Sequence, residues 1–362
     1  MAREHISFLT PGVPRRPGGG ARVYFEHANG LVRRGYRVSI VHPMNLPSRG
    51  VQRLTSRLKE TARNVRANSP RGRISWMNVD PAIDIVLVDS LEAWEPHADL
   101  TVSTFWRTAQ AAGERPATRL LQLVQAYETW AAEATLVDAT WRLPGHLAVV
   151  STSLRARARE LGVPDSRVHL VQNGLQHSTF TTTRPVEGRP PVVAFLAAES
   201  PVKGLADSVA ILRRVHTARP DAELLAFGGG PRPAALPDFV SYERRPLGRD
   251  LVRRVYERAS VFLCASSSEG WGFPSIEAMA CGAALVSTRN GGVDDFAEDG
   301  VSALLCGVGD VPALSDAVLR LLGDEALRAE IAVAGRSSAA RFTWERSTRE
   351  FETAVRAALD ES

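Results

Sequence analysis

The sequence predicts an α/β protein made of two doubly wound parallel sheets facing a cleft, and three features of the chain lead there. Its 362 residues, 44% of them hydrophobic, exceed what one core organises, so two domains are expected. Short apolar runs alternate with helical segments along most of the chain, the pattern of parallel strands joined by crossover helices. That alternation stops once, at the breaker-rich stretch 181–191, Thr-Thr-Thr-Arg-Pro-Val-Glu-Gly-Arg-Pro-Pro, and then restarts. The expected layout is a first domain over 1–180, a linker over 181–191, a second domain over 192–341, and a terminal helix over 342–362.

In chain order, 5–10 reads as a strand, 11–20 as a Pro- and Gly-rich loop, 21–34 as a helix and 37–42 as the next strand. This is the opening of a parallel sheet. Strands follow at 83–88, 100–103, 120–124, 146–150 and 168–171, with a helix at 153–161. After the linker come strand 192–196, helix 204–217, and strands 223–227 and 240–242. Helix 249–259, strand 261–264, helix 274–280, strand 284–287 and helix 311–322 complete the second sheet. Gly228-Gly229-Gly230 reads as a strand-end turn. Ligands of such sheets bind beyond the carboxyl ends of the strands.

Charge is divided unevenly. Residues 1–78 hold fifteen Arg and Lys against three Glu, a net +12, while the remaining 29 bases and 37 acids leave −8. An anionic partner for the front of the chain is one implication. Within it, 48–73 places Val51, Leu54, Leu58 and Val65 near helical spacing amid Arg53, Arg57, Lys59, Arg63 and Arg66. That segment reads either as a solvated face or as a surface lying on an anionic membrane. No recognisable nucleic-acid module accompanies it, so no nucleic acid is expected.

No run approaches the roughly 20 apolar residues of a membrane span, and the first apolar run is too short for a secretory signal, so a cytoplasmic location is expected, with peripheral contact at the inner membrane face if 48–73 binds lipid. Cys264, Cys281 and Cys306 are scattered and lack metal-ligand spacing, so neither a disulfide framework nor a metal site is expected. His27 and His177 have no evident chemical partner and read as structural.

The richest stretch is Ser268-Glu269-Gly270-Trp271-Gly272-Phe273-Pro274-Ser275-Ile276-Glu277. Its glycines expose backbone N–H groups, Pro274 suits the first position of a helix, and Glu277 falls in that helix's first turn. Two carboxylates eight apart on one straight helix would diverge by about 80°. Across a loop and a helix start they converge on one polyol, with free amides for a diphosphate. Either glutamate alone reads as a surface or helix-dipole residue; the pattern as a whole points to a ligand.

Glu269 to Glu277 resembles the E-x7-E signature of retaining glycosyltransferases of family four, set in E-G-x-G-x-P-x-x-E-A-M-A-C-G. Asn290-Gly291-Gly292-Val293-Asp294-Asp295 and Glu298-Asp299-Gly300-Val301 are similar to that family's later turns. The likeness covers most of the second domain and, more loosely, the first. It implies the GT-B fold and transfer of a sugar from a nucleotide-diphosphate sugar to an acceptor hydroxyl, with retention, without a metal or other cofactor. It also implies roles: Glu269 on the donor sugar, Glu277 on the ribose hydroxyls, backbone of Gly270, Trp271, Gly272 and Phe273 on sugar or phosphate, and Lys203 against the leaving diphosphate. Glu269 and Lys203 are then the catalytic pair. Lys203 and Lys59 are the only lysines in the chain, which singles out the first.

The family's arginine about five residues before that lysine is missing; the sequence there is Leu196-Ala197-Ala198-Glu199-Ser200. Gly19 and Gly20 are similar to the family's N-terminal glycine loop, which approaches the donor phosphates, although a flexible turn is an equal reading. Thr104 to Thr108 and Gln125 to Glu128 resemble segments of polysaccharide-building members. Trp106, Tyr127 and Glu128 are therefore acceptor candidates, with a core role for both aromatics left open. Rival readings are an inactive scaffold of the same fold, a nucleotide-sugar epimerase or dinucleotide oxidoreductase, and a glycosidase using Glu269 with Glu277. The oxidoreductase would need G-x-G-x-x-G after the first strand, which is absent.

Overall fold

The computed structural model describes residues 4–14, 16–45, 74, 76–115 and 118–361. The basic segment 48–73 lies outside the described residues. The chain forms two compact units, one of residues 1–150, 154–172 and 344–362, the other of 151–153 and 173–343.

The strands of the first unit are β1 (His5–Leu9), β2 (Arg37–Asn45), β3 (Asp84–Ser90), β4 (Leu100–Ser103), β5 (Leu120–Val124), β6 (His146–Val149) and β7 (Val168–Leu170). Those of the second are β8 (Val192–Leu196), β9 (Glu223–Gly228), β10 (Val240–Arg244), β11 (Val261–Cys264), β12 (Ala284–Thr288) and β13 (Ala303–Cys306). The principal helices are α1 (Gly19–Arg33), α2 (Trp106–Gly113), α3 (Ala134–Trp141), α4 (Thr152–Glu160), α5 (Leu205–Ala218), α6 (Phe273–Ala280), α7 (Val311–Gly323), α8 (Glu325–Ala339) and α9 (Trp344–Asp360).

The first unit's sheet runs β3-β2-β1-β4-β5-β6-β7 with every pairing parallel. Pairing of Ile6 with both Val38 and Leu100 puts β1 inside the sheet, where strand order reverses. Every residue of β1, β4, β5 and β6 is buried. Helices cover both faces of such strands, so they are written as apolar runs instead of alternating ones.

Helix α1 starts earlier than its composition suggests. Gly19 and Gly20 form its first turn instead of ending a loop, because Gly18 stays extended and its carbonyl accepts Arg22 N–H at 3.0 Å. A Cβ on Gly20 would come within 3.4 Å of the Gln125 side chain, so this turn packs on the segment after β5.

Helix α9 belongs to the first unit although the whole second unit precedes it. Its buried residues, Trp344, Ser347, Thr348, Phe351, Ala354, Val355 and Ala358, recur at threes and fours along one stripe. That stripe meets α1, where Gly30 leaves room for the Thr348 side chain and Phe351 stacks on His27 at 4.2 Å and on Phe8 at 5.9 Å. Phe351→Ala should therefore lower unfolding stability by about 3–5 kcal/mol, measured by denaturant titration. A loss under 1 kcal/mol would show that α9 is not needed for the first unit's core.

The second sheet runs β10-β9-β8-β11-β12-β13, again parallel throughout. Val193, Phe195, Ile211, Leu263, Val286 and Leu314 anchor its core. The chain passes into this unit at Asn173, before the expected boundary at 180, and 181–191 is part of it. Val186 is buried there, and the buried Arg189 guanidinium donates to the carbonyls of Pro185, Ala259 and Cys281 at 2.8–2.9 Å. The terminal helix begins at Trp344, two residues after its expected start. Residues 249–259 hold only one α-turn, Arg249–Leu251, followed by a π-helical turn over Val252–Tyr256. Among the described residues no helix is long and apolar enough to cross a membrane.

Candidate functional site

The second unit has its strand-order reversal between β8 and β11, and a cavity opens at the carboxyl ends of those two strands. Leu196 and Cys264, the strands' last residues, line it together with Lys203, Ser266, Glu269 and Ser275.

Lys203 is placed there by a short turn. After β8 the chain makes one 3-10 turn, Pro201–Lys203, and reverses at Gly204, whose φ of 60° and ψ of 37° are left-handed. Only glycine fits that point, since a Cβ would lie 1.9 Å from the Ala265 carbonyl oxygen. Ser267 N–H donates to Val202 O at 2.9 Å, binding the post-β8 and post-β11 turns together. The ammonium of Lys203 consequently meets both carboxylate oxygens of Glu269 at 2.7 Å. Only 10% of the Glu269 side chain and 26% of the Lys203 side chain are exposed, so each group is the main neutraliser of the other.

Glu269 is held from its other side by β12's loop, where its N–H donates to Asn290 O at 2.9 Å. Gly292 lets that loop lie against the backbone of Trp271. The turn 270–272 ends on Gly272, left-handed at φ 98°, which caps α6. Among the described residues the amides of Gly270, Trp271 and Gly272 donate to no protein acceptor. They and the start of α6 supply partial positive charge beside the ion pair. The Trp271 side chain itself is buried against Phe296 and Phe342, at 5.4 and 5.3 Å between ring centres, so its backbone is what the loop offers.

Two details differ from the sequence expectation. Helix α6 starts at Phe273, which makes Pro274 its second residue and Glu277 its fifth, beyond the first turn. A role for Glu277 as a helix-dipole partner therefore lapses. Its carboxylate is 5% exposed and accepts the Tyr256 hydroxyl at 2.9 Å, a contact delivered by the π-helical turn that sequence periodicity does not reveal. Glu269 and Lys203 line one cavity; Glu277 lies one turn deeper along α6. Lys203 is the one cationic side chain on that cavity among the described residues, and Ala198 stands where an arginine was sought. Among the described residues no cluster of three His, Cys, Asp or Glu is arranged to hold a metal ion.

In the first unit the acceptor candidates come together beyond β4 and β5. A Glu128 carboxylate oxygen accepts the Trp106 N–H at 2.7 Å and so caps α2 from outside the helix. Tyr127 is already engaged: its hydroxyl donates to Asp138 at 2.8 Å and accepts from Arg157 at 2.9 Å, and that guanidinium sits 4.8 Å over its ring. Gly19 and Gly20 lie in the same unit, beside Gln125.

Burial among aromatic groups pushes the Glu128 carboxyl up to about 8, against the helix-start N–H that pulls it down. The folded state then holds a proton that the unfolded chain releases near pH 4.5, so Glu128 lowers stability progressively as pH rises from about 5 to 8. Glu128→Gln should flatten the fall in melting temperature over that window; identical profiles would place the carboxyl in water.

Comparison with known proteins gives a consistent set of relatives. A family model described as "Glycosyl transferases group 1" matches residues 190–324. The alpha-maltose-1-phosphate synthase of Mycolicibacterium smegmatis is 30% identical over 213 residues, 50% of this chain and 54% of that protein. The match with this relative thus spans about half its length. The Mycobacterium tuberculosis protein of the same name is 24% identical over 94% of this chain and 95% of its own. Among solved structures, sucrose-phosphate synthase from Thermosynechococcus elongatus superposes with a TM-score of 0.78 at 17% identity, covering 99% of this chain and all of that one. Anabaena Alr3699/HepE in complex with UDP-glucose gives 0.72 at 15%, covering 98% and all. These two share the GT-B fold with this chain.

Proposed function

We propose that the chain, whose residues 190–324 match the glycosyl transferases group 1 model, moves a sugar from a nucleotide-diphosphate donor to an acceptor hydroxyl with retention and without a metal ion. The observation that carries the proposal is the Lys203–Glu269 ion pair at the strand-order reversal, followed directly in the chain by the amides of 270–272, which among the described residues donate to no protein acceptor.

A donor entering this cavity exchanges the internal pair for two external ones. The Lys203 ammonium turns to the diphosphate, and the Glu269 carboxylate accepts hydroxyls of the sugar. As the bond from the anomeric carbon to the phosphate oxygen breaks, charge grows on that oxygen. A fixed ammonium and backbone amides in a site shielded from water stabilise it most at the transition state. The acceptor hydroxyl bonds to the anomeric carbon on the face being vacated, and its proton passes to the departing phosphate, so no enzyme nucleophile is required. Glu277, deep along α6 and oriented by Tyr256, is assigned to the ribose hydroxyls.

Thermal unfolding against UDP-, GDP-, dTDP- and ADP-sugars, in EDTA, tests the donor site. A ligand at 100 times its Kd stabilises by about 2.7 kcal/mol, and that gain should appear with one nucleotide and vanish in Glu277→Ala. Indifference to all four would refute the donor assignment. Nucleotide binding without turnover on any acceptor would instead favour an inactive binding subunit, the reading that Ala198 in the arginine position supports.

A further inference from the structure

We propose that the first unit carries a platform for a pyranose ring, formed by Trp130 tilted against Phe105 with the Glu128 carboxyl and the Trp106 indole beside Phe105, so that the acceptor is a carbohydrate. The acceptor role rests on the transferase reading above; the platform does not.

Trp130 is 60% exposed, more than any other large hydrophobic side chain among the described residues. It sits six residues beyond Val124, the end of β5, and its ring centre lies 6.3 Å from that of Phe105, which follows β4. Strands β4 and β5 are neighbours, so both rings stand at adjacent carboxyl ends, the edge where doubly wound sheets take ligands. Phe105 in turn leans on Trp106, 6.0 Å away, whose ring carries the Arg107 guanidinium at 5.4 Å. That ring is already occupied; Trp130 is the open one.

Two polar groups border the rings with capacity unspent. The Trp106 indole N–H is buried and has no hydrogen-bond partner. Glu128 uses one carboxylate oxygen for the Trp106 amide, and among the described residues the other accepts nothing. Phe105, Trp106 and Glu128 line one small cavity together with Gln122 and Thr140, and Trp130, which is not part of its lining, adjoins it through Phe105. A buried donor without an acceptor is a specific vacancy for an oxygen.

A pyranose matches this arrangement part by part. Its C–H face is apolar and flat enough to lie on an indole, while its rim offers hydroxyls that both donate to and accept from the Glu128 carboxyl and accept from an indole N–H. An acyl chain would use the exposed ring yet leave the carboxyl and the indole N–H without partners.

The test uses the full chain, an array of gluco-, galacto-, manno- and rhamnopyranosides, and quenching of tryptophan fluorescence by the methyl glycosides that bind. Binding should weaken at least tenfold in Trp130→Ala and recover in Trp130→Phe. Where transfer is measured, Trp130→Ala should raise acceptor KM more than it lowers kcat, and nucleotide stabilisation serves as the folding control. No pyranoside bound by the wild type, or an unchanged acceptor KM in Trp130→Ala, would overturn the proposal. So would Trp130-dependent binding to phosphatidylcholine/phosphatidylglycerol vesicles without glycan binding, which would assign the ring to a lipid surface. Trp130-dependent glycan binding by a chain that consumes no nucleotide sugar would sink the transferase reading and leave the platform standing.

Discussion

Lys203→Ala is expected to lower sugar transfer about 100- to 1,000-fold, the loss typical of removing one preorganised charge or donor aimed at a developing oxyanion. Two deficits add up in that variant. The departing diphosphate loses the ammonium, and Glu269, 10% exposed, keeps a carboxylate whose neutralising partner has gone. Glu269→Gln should be impaired as well, with its Lys203 left unpaired. Because the two side chains touch at 2.7 Å, their effects should not add: the double variant Lys203→Ala/Glu269→Gln should be no less stable than Lys203→Ala alone. Single-turnover rates and melting temperatures for the four proteins decide the matter. Near-normal turnover in Lys203→Ala would remove the lysine from the reaction.

Gly204→Ala should be the most damaging small substitution in the second unit. A left-handed alanine costs about 1–2 kcal/mol by itself, and here the new methyl would also run into the Ala265 carbonyl, a backbone atom that no rotamer change can move aside. A total of roughly 3–4 kcal/mol is expected in denaturant unfolding, at the upper end for a single change. The turn that carries Lys203 would be displaced with it, so activity should fall even at temperatures where the variant remains folded. Gly229, whose Cβ would meet nothing within 4 Å, is the control, and Gly229→Ala should differ from wild type by under about 0.5 kcal/mol. Equal stability of the two variants would contradict the backbone packing at β8 and β11.

The parallel sheets were the legible part of this sequence. Leu-Leu-Gln-Leu-Val and Val-Phe-Leu-Cys are short, apolar and flanked by breakers, and each forms the strand its composition suggests, since burial on both faces leaves no other use for such runs. The Glu269 loop was legible too, because Gly272 takes a left-handed φ of 98° at the helix cap and Pro274 sits in the first turn of α6, where a missing N–H costs nothing. What distant residues supply could not be read. Helix α2 draws its outside cap from Glu128, 22 residues beyond Trp106. Tyr256 reaches Glu277 through a π-helical turn that no apolar period announces. Gly19 and Gly20 looked like loop because glycine costs about 1 kcal/mol in a helix; their small size is used against Gln125. Arg189 looked like linker because arginine is rarely buried, yet five-donor geometry lets it bridge backbone carbonyls.

The return of α9 to the first unit sets an order of events during synthesis. The ribosome makes residues 1–172 first, then residues 173–343, which form all of the second unit except 151–153, and only then the stripe from Trp344 to Ala358 that closes over α1. The second unit can reach its final packing while the chain is still being extended, whereas the first must wait with His27, Phe8 and Gly30 uncovered. A nascent chain halted at residue 343 is thus expected to hold one finished unit and one sensitive to protease, and the portion translated earliest is the last to be sealed.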